Sequence, residues 1–344
     1  MIGPVRRCRP EIFYGNVNLW RWLQDYLIHF SYTDYVHGKA DELEIILEDR
    51  DQVWQYIPSP TKGASILANL VCQDWNGPGQ DISLRCGWFE IDEIEVSGPP
   101  SLVRIMAHSA YVTQGLTQTK KSRAWENITL QTPANDIATE HGLSLSYSVD
   151  YDPKFKRLDQ TEQADLEFLH RECNKWDHYL KVAEGQLIII SPSILEGQAG
   201  MGGIDRSEIG NYRITDKSRD VYRSCEVQYH DPKDKKTRRA EAVDPSVGAE
   251  GDTLEINERF EDQGQAQERA ERELRRRNKY ECEAEFSMMG RPDLVAGMPV
   301  PVSGFGQWSG MHFIEESNHA YSQSTGYVTS IRTRKGRALN VVTQ

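Results

Sequence analysis

Residues 39–51 read Lys-Ala-Asp-Glu-Leu-Glu-Ile-Ile-Leu-Glu-Asp-Arg-Asp, and this stretch indicates the fold class. Leu43, Ile45 and Leu47 alternate with polar positions, which is the two-residue period of a β-strand with one buried face. The charged residues at 49–51 then end the strand. A chain built from such segments is expected to be mainly β.

Residues 87–100 read Gly-Trp-Phe-Glu-Ile-Asp-Glu-Ile-Glu-Val-Ser-Gly-Pro-Pro and predict a strand with a local irregularity. Phe89 and Ile91 share one face, whereas Ile94 and Val96 fall on the opposite face. A β-bulge at Asp92-Glu93 would produce this phase slip, because a bulge adds one residue to one strand of a pair. The closing Gly-Pro-Pro predicts a turn, after which Val103, Ile105 and Ala107 alternate again.

The pattern of residues 87–93 returns far along the chain. Residues 310–316 read Gly-Met-His-Phe-Ile-Glu-Glu, against Gly-Trp-Phe-Glu-Ile-Asp-Glu in the first copy. Each copy follows a glycine-led apolar strand, at 62–67 or 296–302, and each precedes a turn and another alternating strand. This echo indicates two β-domains of similar design. The alternative is that two unrelated β-segments share a short pattern by chance.

A mixed segment of helices and strands is predicted between the two copies. Thr132-Pro133 and Gly142 predict the start and end of a short helix, with Thr132 as its cap. Asp159 and Glu162 predict a capping box at the start of a second helix. The apolar stripe of that helix is formed by Leu166, Leu169, Cys173 and Trp176.

The sequence after the second helix indicates a β-hairpin and then a domain boundary. Residues 179–190 predict two strands that turn at Glu184-Gly185. The glycine-rich stretch 198–203 is the predicted boundary. Beyond it, two strands are predicted between 221 and 243, and a charged helix is predicted at about 262–278. We expect this helix on a surface, since its apolar stripe is narrow and consists of Ala266, Ala270 and Leu274.

The composition fits a soluble globular protein of two or three domains. The chain has 344 residues, 38% of them hydrophobic, and a net charge of −12, which argues against nucleic-acid binding as the main task. Residues 1–8 contain no apolar run and residues 187–190 are too few to span a bilayer, so we expect synthesis in a bacterial-type cytoplasm and no membrane insertion. We expect reduced, mostly buried thiols at Cys8, Cys72, Cys86, Cys173, Cys225 and Cys282.

The histidines and cysteines predict no catalytic or metal site. His170 and His178 lie eight residues apart on the same predicted helix, too far for joint metal ligation, and His312 and His319 belong to the strand-and-turn pattern. Cys173 lies at helical spacing from His170, but it falls on the apolar stripe, which favours a buried, inert thiol. We therefore expect no enzyme activity, no cofactor and no metal.

Three other kinds of stretch are candidate sites. The carboxylate pairs at 92–93 and 315–316 are neighbours on strands and should point to opposite faces, which is poor geometry for a glycosidase. Residues 197–203 lack the Gly-Lys-Ser/Thr ending of a phosphate-binding loop. The basic run at 233–239 is predicted at a hairpin tip, where it is either a solvated charge run or a contact with an acidic neighbour.

Short motifs occur in a fixed order along residues 11–332. They are Ala40-Asp41-Glu42-Leu43; Asp49-Arg50-Asp51 with Trp54; Gly87-x-Phe89 through Gly98-Pro99-Pro100; Lys120-Lys121-Ser122-Arg123-Ala124-Trp125; Gln160-Thr161 before Asp165-Leu166-x-Phe168-Leu169; and Gly297-Met298 through Ser303-Gly304-Phe305-Gly306. The ordered set resembles the late-control protein D family, the baseplate hub proteins of contractile phage tails and R-type pyocins. It is also similar to the N-terminal hub part of type VI secretion spike proteins.

The resemblance implies a structural role. It implies a homotrimeric adaptor that joins a hexameric tail tube to a trimeric central spike, because three chains with two barrels each present six similar barrels. The implied partners are the tail tube protein, the central spike protein, other baseplate proteins and the tape-measure protein, with no specific nucleic acid. The implied location is the baseplate of a phage tail or a tailocin particle. Neither the motifs nor the resemblance identifies the residues at the partner interfaces.

The expected architecture is mainly β with an α/β insertion, an α+β arrangement with two tube-like β-barrel domains of similar design. We predict a first hub β-barrel at 1–115, an α/β insert at 116–195, and a second hub β-barrel at 196–344 that carries the charged surface helix. Two alternatives come from other functional classes. One is a tail-associated cell-wall hydrolase, and the other is a glycan-binding baseplate protein that uses tryptophans as stacking platforms.

Overall fold

The computed structural model describes residues 5–56, 61–110, 114–200, 202–231, 236–258, 260, 262–336 and 342–343. Strands dominate this part of the chain, which confirms the mainly β prediction. Among these residues, no helix is long and apolar enough to cross a membrane.

The elements are numbered here in chain order. The strands are β1 Arg7–Tyr14, β2 Val17–Asn18, β3 Leu27–Tyr35, β4 Glu42–Glu48, β5 Ser65–Gln73, β6 Ile82–Ser97, β7 Leu102–Ser109, β8 Lys120–Thr129, β9 Ser144–Ser148, β10 Lys154–Ala164, β11 Tyr179–Ala183, β12 Gln186–Ile190, β13 Ile204–Asp205, β14 Ile209–Asp216, β15 Ser224–Asp231, β16 Lys236–Val243, β17 Thr253–Asn257, β18 Cys282–Met289, β19 Pro299–Ser303, β20 Gly310–Ser322, β21 Gly326–Lys335 and β22 Val342–Thr343. The α-helices are α1 Trp20–Leu23, α2 Val53–Tyr56, α3 Gln114–Thr117, α4 Gln131–Glu140, α5 Asp165–Lys175, α6 Pro192–Glu196 and α7 Gln263–Asn278.

One long sheet organises the described structure. Its strand order is β14-β18-β21-β20-β3-β4-β7-β6-β5-β1-β2, and β19 and β13 extend it beside β20. The strands β1 to β7 form what we call the first half, and β13, β14 and β18 to β21 form the second half. The two halves meet where β20 pairs with β3, from Glu316 opposite Tyr35 to Ser322 opposite His29.

Each half of the long sheet surrounds its own hydrophobic core. The alternation read in residues 39–51 is confirmed, since Leu43, Ile45 and Leu47 are buried in the first core. Ile12 of β1 and Phe30 of β3 reach the same cluster, although their strands lie near opposite ends of the first half. The first half therefore curls around its core. The second core is separate and contains Ile204, Ala284, Phe286, Met288, Val300, Val302, Ile314 and Ile331.

The insert between the halves has a third core. The hairpin β11–β12 turns at Glu184 and Gly185 as predicted, and β12 also pairs in parallel with β9. The strands β8 and β10 form a second antiparallel pair. Between them, α4 and α5 contribute buried side chains that include Ile137, Phe168 and Leu169.

The capping predictions for the two insert helices were wrong. The helix α4 begins one residue before Thr132, with Leu130 at its cap position. The stretch from Asp159 to Glu162 belongs to β10, where Glu162 has a φ of +48° at an irregular point of the β8–β10 register. Pairing with a neighbouring strand has overridden the local preference for a cap. The ending of α4 was predicted correctly, because Gly142 has a φ of +68°.

The strands β15 to β17 and the helix α7 contribute to a fourth core, which is separate from the second core of the long sheet. The strands β17, β15, β16 and β22 make a separate sheet, and α7 packs on it through Ala266, Ala270 and Leu274. Trp176 of the insert joins this core. The division at 115 and 195 stays a prediction, but the charged helix belongs to this separate unit and not to the second half of the long sheet.

The helix α7 is also more buried than its sequence predicted. Arg269, Arg272 and Glu273 are buried beside the apolar stripe. Arg269 Nη1 donates to Glu273 Oε2 at 2.8 Å, so these two charges neutralise each other where they are shielded from water. Arg272 Nη1 donates to the Trp176 carbonyl oxygen at 3.2 Å. The helix therefore lies between its own sheet and the insert.

Candidate assembly interface

The two halves of the long sheet match element by element. In chain order, β1, β3, β4, β5, β6 and β7 of the first half correspond to β13, β14, β18, β19, β20 and β21 of the second. Five pairings have counterparts: β3–β4 with β14–β18, β4–β7 with β18–β21, β7–β6 with β21–β20, β6–β5 with β20–β19, and β5–β1 with β19–β13. The β1–β2 pairing has no counterpart among the described residues. One difference is that β1–β5 is antiparallel and β13–β19 is parallel. The sequence echo thus reflects a repeated design.

Backbone hydrogen bonds repeat as well. The Gly63 N–H donates to the Ile91 carbonyl at 2.8 Å, and the Gly297 N–H donates to the Ile314 carbonyl at the same distance. Each isoleucine N–H donates back to the residue after the glycine at 3.0 Å. The two glycines have φ values of +80° and +87°, a region that side chains with a Cβ disfavour.

The predicted irregularity in residues 87–100 is confirmed and also occurs twice. Between β6 and β7 the register shifts between Ile91 and Glu93, so Asp92 is the extra residue. Between β20 and β21 it shifts between Ile314 and Glu316, so Glu315 is the extra residue. A third shift, between Leu27 and His29 of β3, also has its counterpart in β14.

The two bulged carboxylates have different surroundings. Glu315 is buried, and its Oε1 accepts from Arg334 Nε at 2.6 Å and from the Tyr179 hydroxyl at 3.1 Å. Arg334 is 2% exposed and also pairs with Glu196. These contacts fasten the insert to the second half. The equivalent Asp92 is 73% exposed and lies 3.9 Å from His108, the counterpart of Arg334.

The pairing of β20 with β3 includes polar side chains that fix its register. Asn318 Nδ2 donates to the hydroxyls of Ser31 and Thr33, both at 2.8 Å. On the other face, His319 is fully buried and stacks on Tyr32 with ring centroids 6.1 Å apart. Burial lowers the pKa of His319 to about 4, which keeps its ring neutral at pH 7.

Beyond the bulges, the two halves use their strand edges differently. The segment Glu316–Ser322 of β20 pairs with β3, but its counterpart Glu93–Ser97 of β6 pairs only with β7 among the described residues. The strand β14, the counterpart of β3, pairs only with β18 in the same part of the chain. In the described structure, both edges are therefore unpaired, and both strands include exposed side chains there.

A further ion-pair network ties the insert to the first half. Lys181 Nζ donates to Asp34 Oδ1 at 2.6 Å and lies 2.9 Å from Asp41 Oδ1. Burial raises the pKa of Asp41 to about 6, although the Lys181 charge opposes this shift. Asp41 of the sequence motif thus takes part in the contact between the insert and the first half, and the next residue, Glu42, begins β4.

The histidines and cysteine considered in the sequence have structural partners. His178 lies 3.1 Å from Ser191 Oγ and 3.0 Å from the Tyr151 carbonyl, and His312 lies 3.0 Å from Thr333 Oγ1. Cys173 is 1% exposed, and burial raises the pKa of its thiol above the usual value. A protonated, shielded thiol is a poor nucleophile.

One set of potential metal ligands escaped the sequence analysis. Glu140, His141 and Asp165 bring their ligand atoms within 4.8 Å of one another. Lys121 Nζ lies 2.6 Å from both carboxylates, and Arg123 also donates to both. Burial opposes ionisation of Asp165, but hydrogen bonds from Lys121, Gln160 and His141 lower its pKa to about 2. Since two cations already neutralise these carboxylates, the arrangement is an ion-pair network and not a free ligand set. The only hint in the sequence was the basic motif at 120–125.

The remaining candidates do not converge on a cleft. Glu315 faces the buried network, whereas Glu316 pairs with Arg332 at 3.2 Å, so the two carboxylates point apart as predicted. The basic run at 233–239 lies partly outside the described residues; of its remainder, Arg239 lies 3.2 Å from Glu226. Among the tryptophans with described side chains, Trp75 and Trp176 are buried, whereas Trp308 is 36% exposed. Dispersed rings of this kind do not form a stacking platform.

Comparisons with known proteins agree with the resemblance read in the sequence. No protein-family model matches the chain. A relative from Escherichia phage P2, described as a probable baseplate hub protein, is 29% identical over 170 residues, which is 49% of this chain and 41% of the relative. The resemblance to baseplate hub proteins is confirmed. The match spans about two fifths of that relative's length.

Solved structures share the fold across almost the whole chain. The tail protein of Neisseria meningitidis aligns over 96% of this chain and 97% of its own, with a TM-score of 0.70 and 11% identity. An Escherichia coli type VI secretion component, described as similar to the T4 tail proteins gp27 and gp5, aligns over 91% of this chain and 74% of its own, with a TM-score of 0.56 and 10% identity. The fold is thus that of tail and type VI secretion proteins.

Proposed function

We propose that this chain is a structural baseplate hub of a contractile tail or tailocin, without enzymatic activity. The curated relative is named as a hub protein, and the fold matches tail proteins along nearly the whole chain. The finer proposal is a homotrimeric adaptor between a hexameric tail tube and a trimeric central spike. The repeated halves of the long sheet carry this proposal.

Symmetry supplies the physical argument. A tube with six subunits and a spike with three cannot be joined by a threefold ring of single domains without leaving half of the tube subunits in unlike contacts. A chain with two equivalent halves avoids this mismatch, because three copies present six similar surfaces. The matched pairings, glycines and bulges of the two halves supply the required equivalence.

The remaining units have a different place in the proposal. Among the described residues, the insert and the sheet that packs on α7 have no counterpart in the first half. In a trimer they would therefore be arranged with threefold symmetry only. We place them on the outer side of the ring, toward other baseplate proteins. The tape-measure protein would then contact the side of the long sheet that faces the inside of the ring.

The test is the mass and shape of the purified chain. Light scattering should give three times the chain mass of 39.4 kDa, alone or after addition of the spike protein. Negative-stain class averages should show a ring with six similar inner lobes and three outer projections. A compact monomer in the presence of both tube and spike proteins would overturn the proposal. An in-gel murein digestion by the same sample would instead support a cell-wall hydrolase.

A further inference from the structure

The internal contact between the two halves serves as a template for a contact between copies. In each half, the part of the bulged strand after the bulge pairs along one edge with a strand of the same half: β6 pairs with β7, and β20 pairs with β21. In the second half, the other edge of this segment pairs with β3. In the first half, the corresponding edge of residues 93–97 is unpaired in the described structure, and so is the outer edge of β14, the counterpart of β3.

We propose that Glu93–Ser97 of one chain pairs antiparallel with β14 of a second copy of this chain, in the register of the internal β20–β3 pairing. This inference rests on the proposed trimer and specifies its interface. The contact is heterologous, because one edge meets a different edge, and such contacts close into rings when the rotation per subunit allows it.

The template fixes which residues face each other. Glu93 follows the bulge in β6 as Glu316 follows the bulge in β20, so these two residues are equivalent. The registers of β3–β4–β7 and of β14–β18–β21 then make Thr215 of β14 equivalent to Thr33 of β3. Transferring the internal partners then gives the expected pairs across the interface. These are Glu93 opposite Lys217, Ile94 opposite Asp216, Glu95 opposite Thr215, Val96 opposite Ile214, and Ser97 opposite Arg213.

Charge on one face supports this pairing. The β6 edge contributes Glu93 and Glu95, and the β14 edge contributes Arg213 and Lys217, all of which are exposed. Opposite charges that face each other across strands stabilise a sheet. Within the chain, Lys217 already pairs with Glu283, so the proposed contact would give its ammonium group a second carboxylate.

The charges of the neighbouring strands extend this pattern. Glu95 lies 3.8 Å from Arg104 of β7, and Arg213 lies opposite Glu285 of β18. Acidic and basic strands would thus alternate from β7 through the interface to β18. In the internal template, Arg332 of β21 pairs with Glu316 of β20, whereas β3 provides the hydroxyls of Ser31 and Thr33 in place of basic side chains.

On the other face, the proposed pairing brings Val96 opposite Ile214, beside Ile94 opposite Asp216. Val96 is 54% exposed, although its counterpart His319 is fully buried against Tyr32. Ile214, the counterpart of Tyr32, packs against the second core and is only partly buried. Pairing of the two edges would cover both side chains and remove an exposed valine from the surface.

The test is a cross-link between introduced cysteines. In the template, Asn318 Nδ2 donates to Thr33 Oγ1 at 2.8 Å, so these side chains touch. The corresponding double variant, Glu95→Cys with Thr215→Cys, should therefore join copies through a short bis-alkylating thiol reagent. The control is Glu95→Cys with Ile214→Cys, which places the second thiol on the opposite face of β14. The wild-type chain measures the background from its own cysteines.

We expect covalent trimers for the first variant and at least tenfold less product for the control, in samples that light scattering finds equally trimeric. A trimer without this selective cross-link would overturn the strand pairing and leave the proposed hub function standing. Monomers in every sample, including samples to which the tube and spike proteins are added, would overturn both. A covalent ladder beyond three chains would support the pairing and contradict the closed trimer.

Discussion

Replacing Arg334 by methionine should destabilise the chain strongly. Arg334 is 2% exposed, donates to Glu315 at 2.6 Å and lies with its guanidinium carbon 4.6 Å from the centre of the Phe313 ring. Methionine keeps much of the apolar stem but leaves the Glu315 carboxylate buried without its main cation. Breaking a buried ion pair by removing one partner costs about 3–5 kcal/mol of unfolding free energy.

A matched control lies two residues earlier on the same strand. Arg332 pairs with Glu316 at 3.2 Å, but its side chain is 50% exposed, so Arg332→Met should cost only about 0–1 kcal/mol. Urea unfolding at fixed protein concentration, followed by circular dichroism and tryptophan fluorescence, measures both variants. Fixing the concentration matters because assembly itself adds stability.

A double variant separates charge burial from packing. Arg334→Met combined with Glu315→Leu removes both charges and should recover at least half of the loss, because an apolar pair needs no desolvation compensation. Equal losses for Arg334→Met and Arg332→Met would refute the idea that the Glu315 network fastens the insert to the second half. So would a double variant as unstable as Arg334→Met alone.

Three further predictions concern the duplicated sheet and its neighbours. Because burial lowers the pKa of His319 to about 4 from 6.5, the unfolded chain binds a proton there before the folded chain does, and His319 alone should contribute a fall in stability of about 2 kcal/mol from pH 7 to pH 5. Unfolding of His319→Gln at several pH values should show a smaller slope. Gly63→Ala and Gly297→Ala should each cost about 1–2 kcal/mol by thermal or urea unfolding, because both glycines have positive φ; a cost at one site alone would contradict their equivalence. Leu274→Ala, in the core under α7, should cost about 2–5 kcal/mol without changing the trimer mass by light scattering.

Sequence reasoning succeeded where one face of a strand is buried. Two local patterns predicted structure correctly. The alternation of Leu43, Ile45 and Leu47 predicted a strand, and the change of face at Asp92 predicted a bulge. The echo between residues 87–93 and 310–316 was visible because the bulge repeats in both copies. The equivalence of β3 with β14 was missed, because only the pairing partners and one bulge are shared and the side chains differ.

Long-range contacts explain what the sequence did not predict. The helix α7 looked like a surface helix, since Arg269, Arg272 and Glu273 are charged. Arg269 and Glu273 pair with each other, however, and Arg272 contacts the Trp176 carbonyl of the insert. The Glu315–Arg334–Tyr179 network joins residues more than a hundred positions apart. No spacing rule connects such residues, so only the folded arrangement identifies them.

The exposed strand edges also explain why the two halves differ where they do. An unpaired edge invites pairing with any extended chain, and charged residues are a common protection against it. Glu93 and Glu95 repel other acidic edges and favour a basic one, and β14 provides Arg213 and Lys217. The internal junction needs no such selectivity, because its two strands belong to one chain. There the positions of Glu93 and Glu95 are taken by Glu316 and Asn318, which lie opposite Tyr35 and Thr33. In the proposed pairing, Glu93 and Glu95 therefore select the partner edge, which would couple the repeated halves within a chain to the repeated chains within a ring.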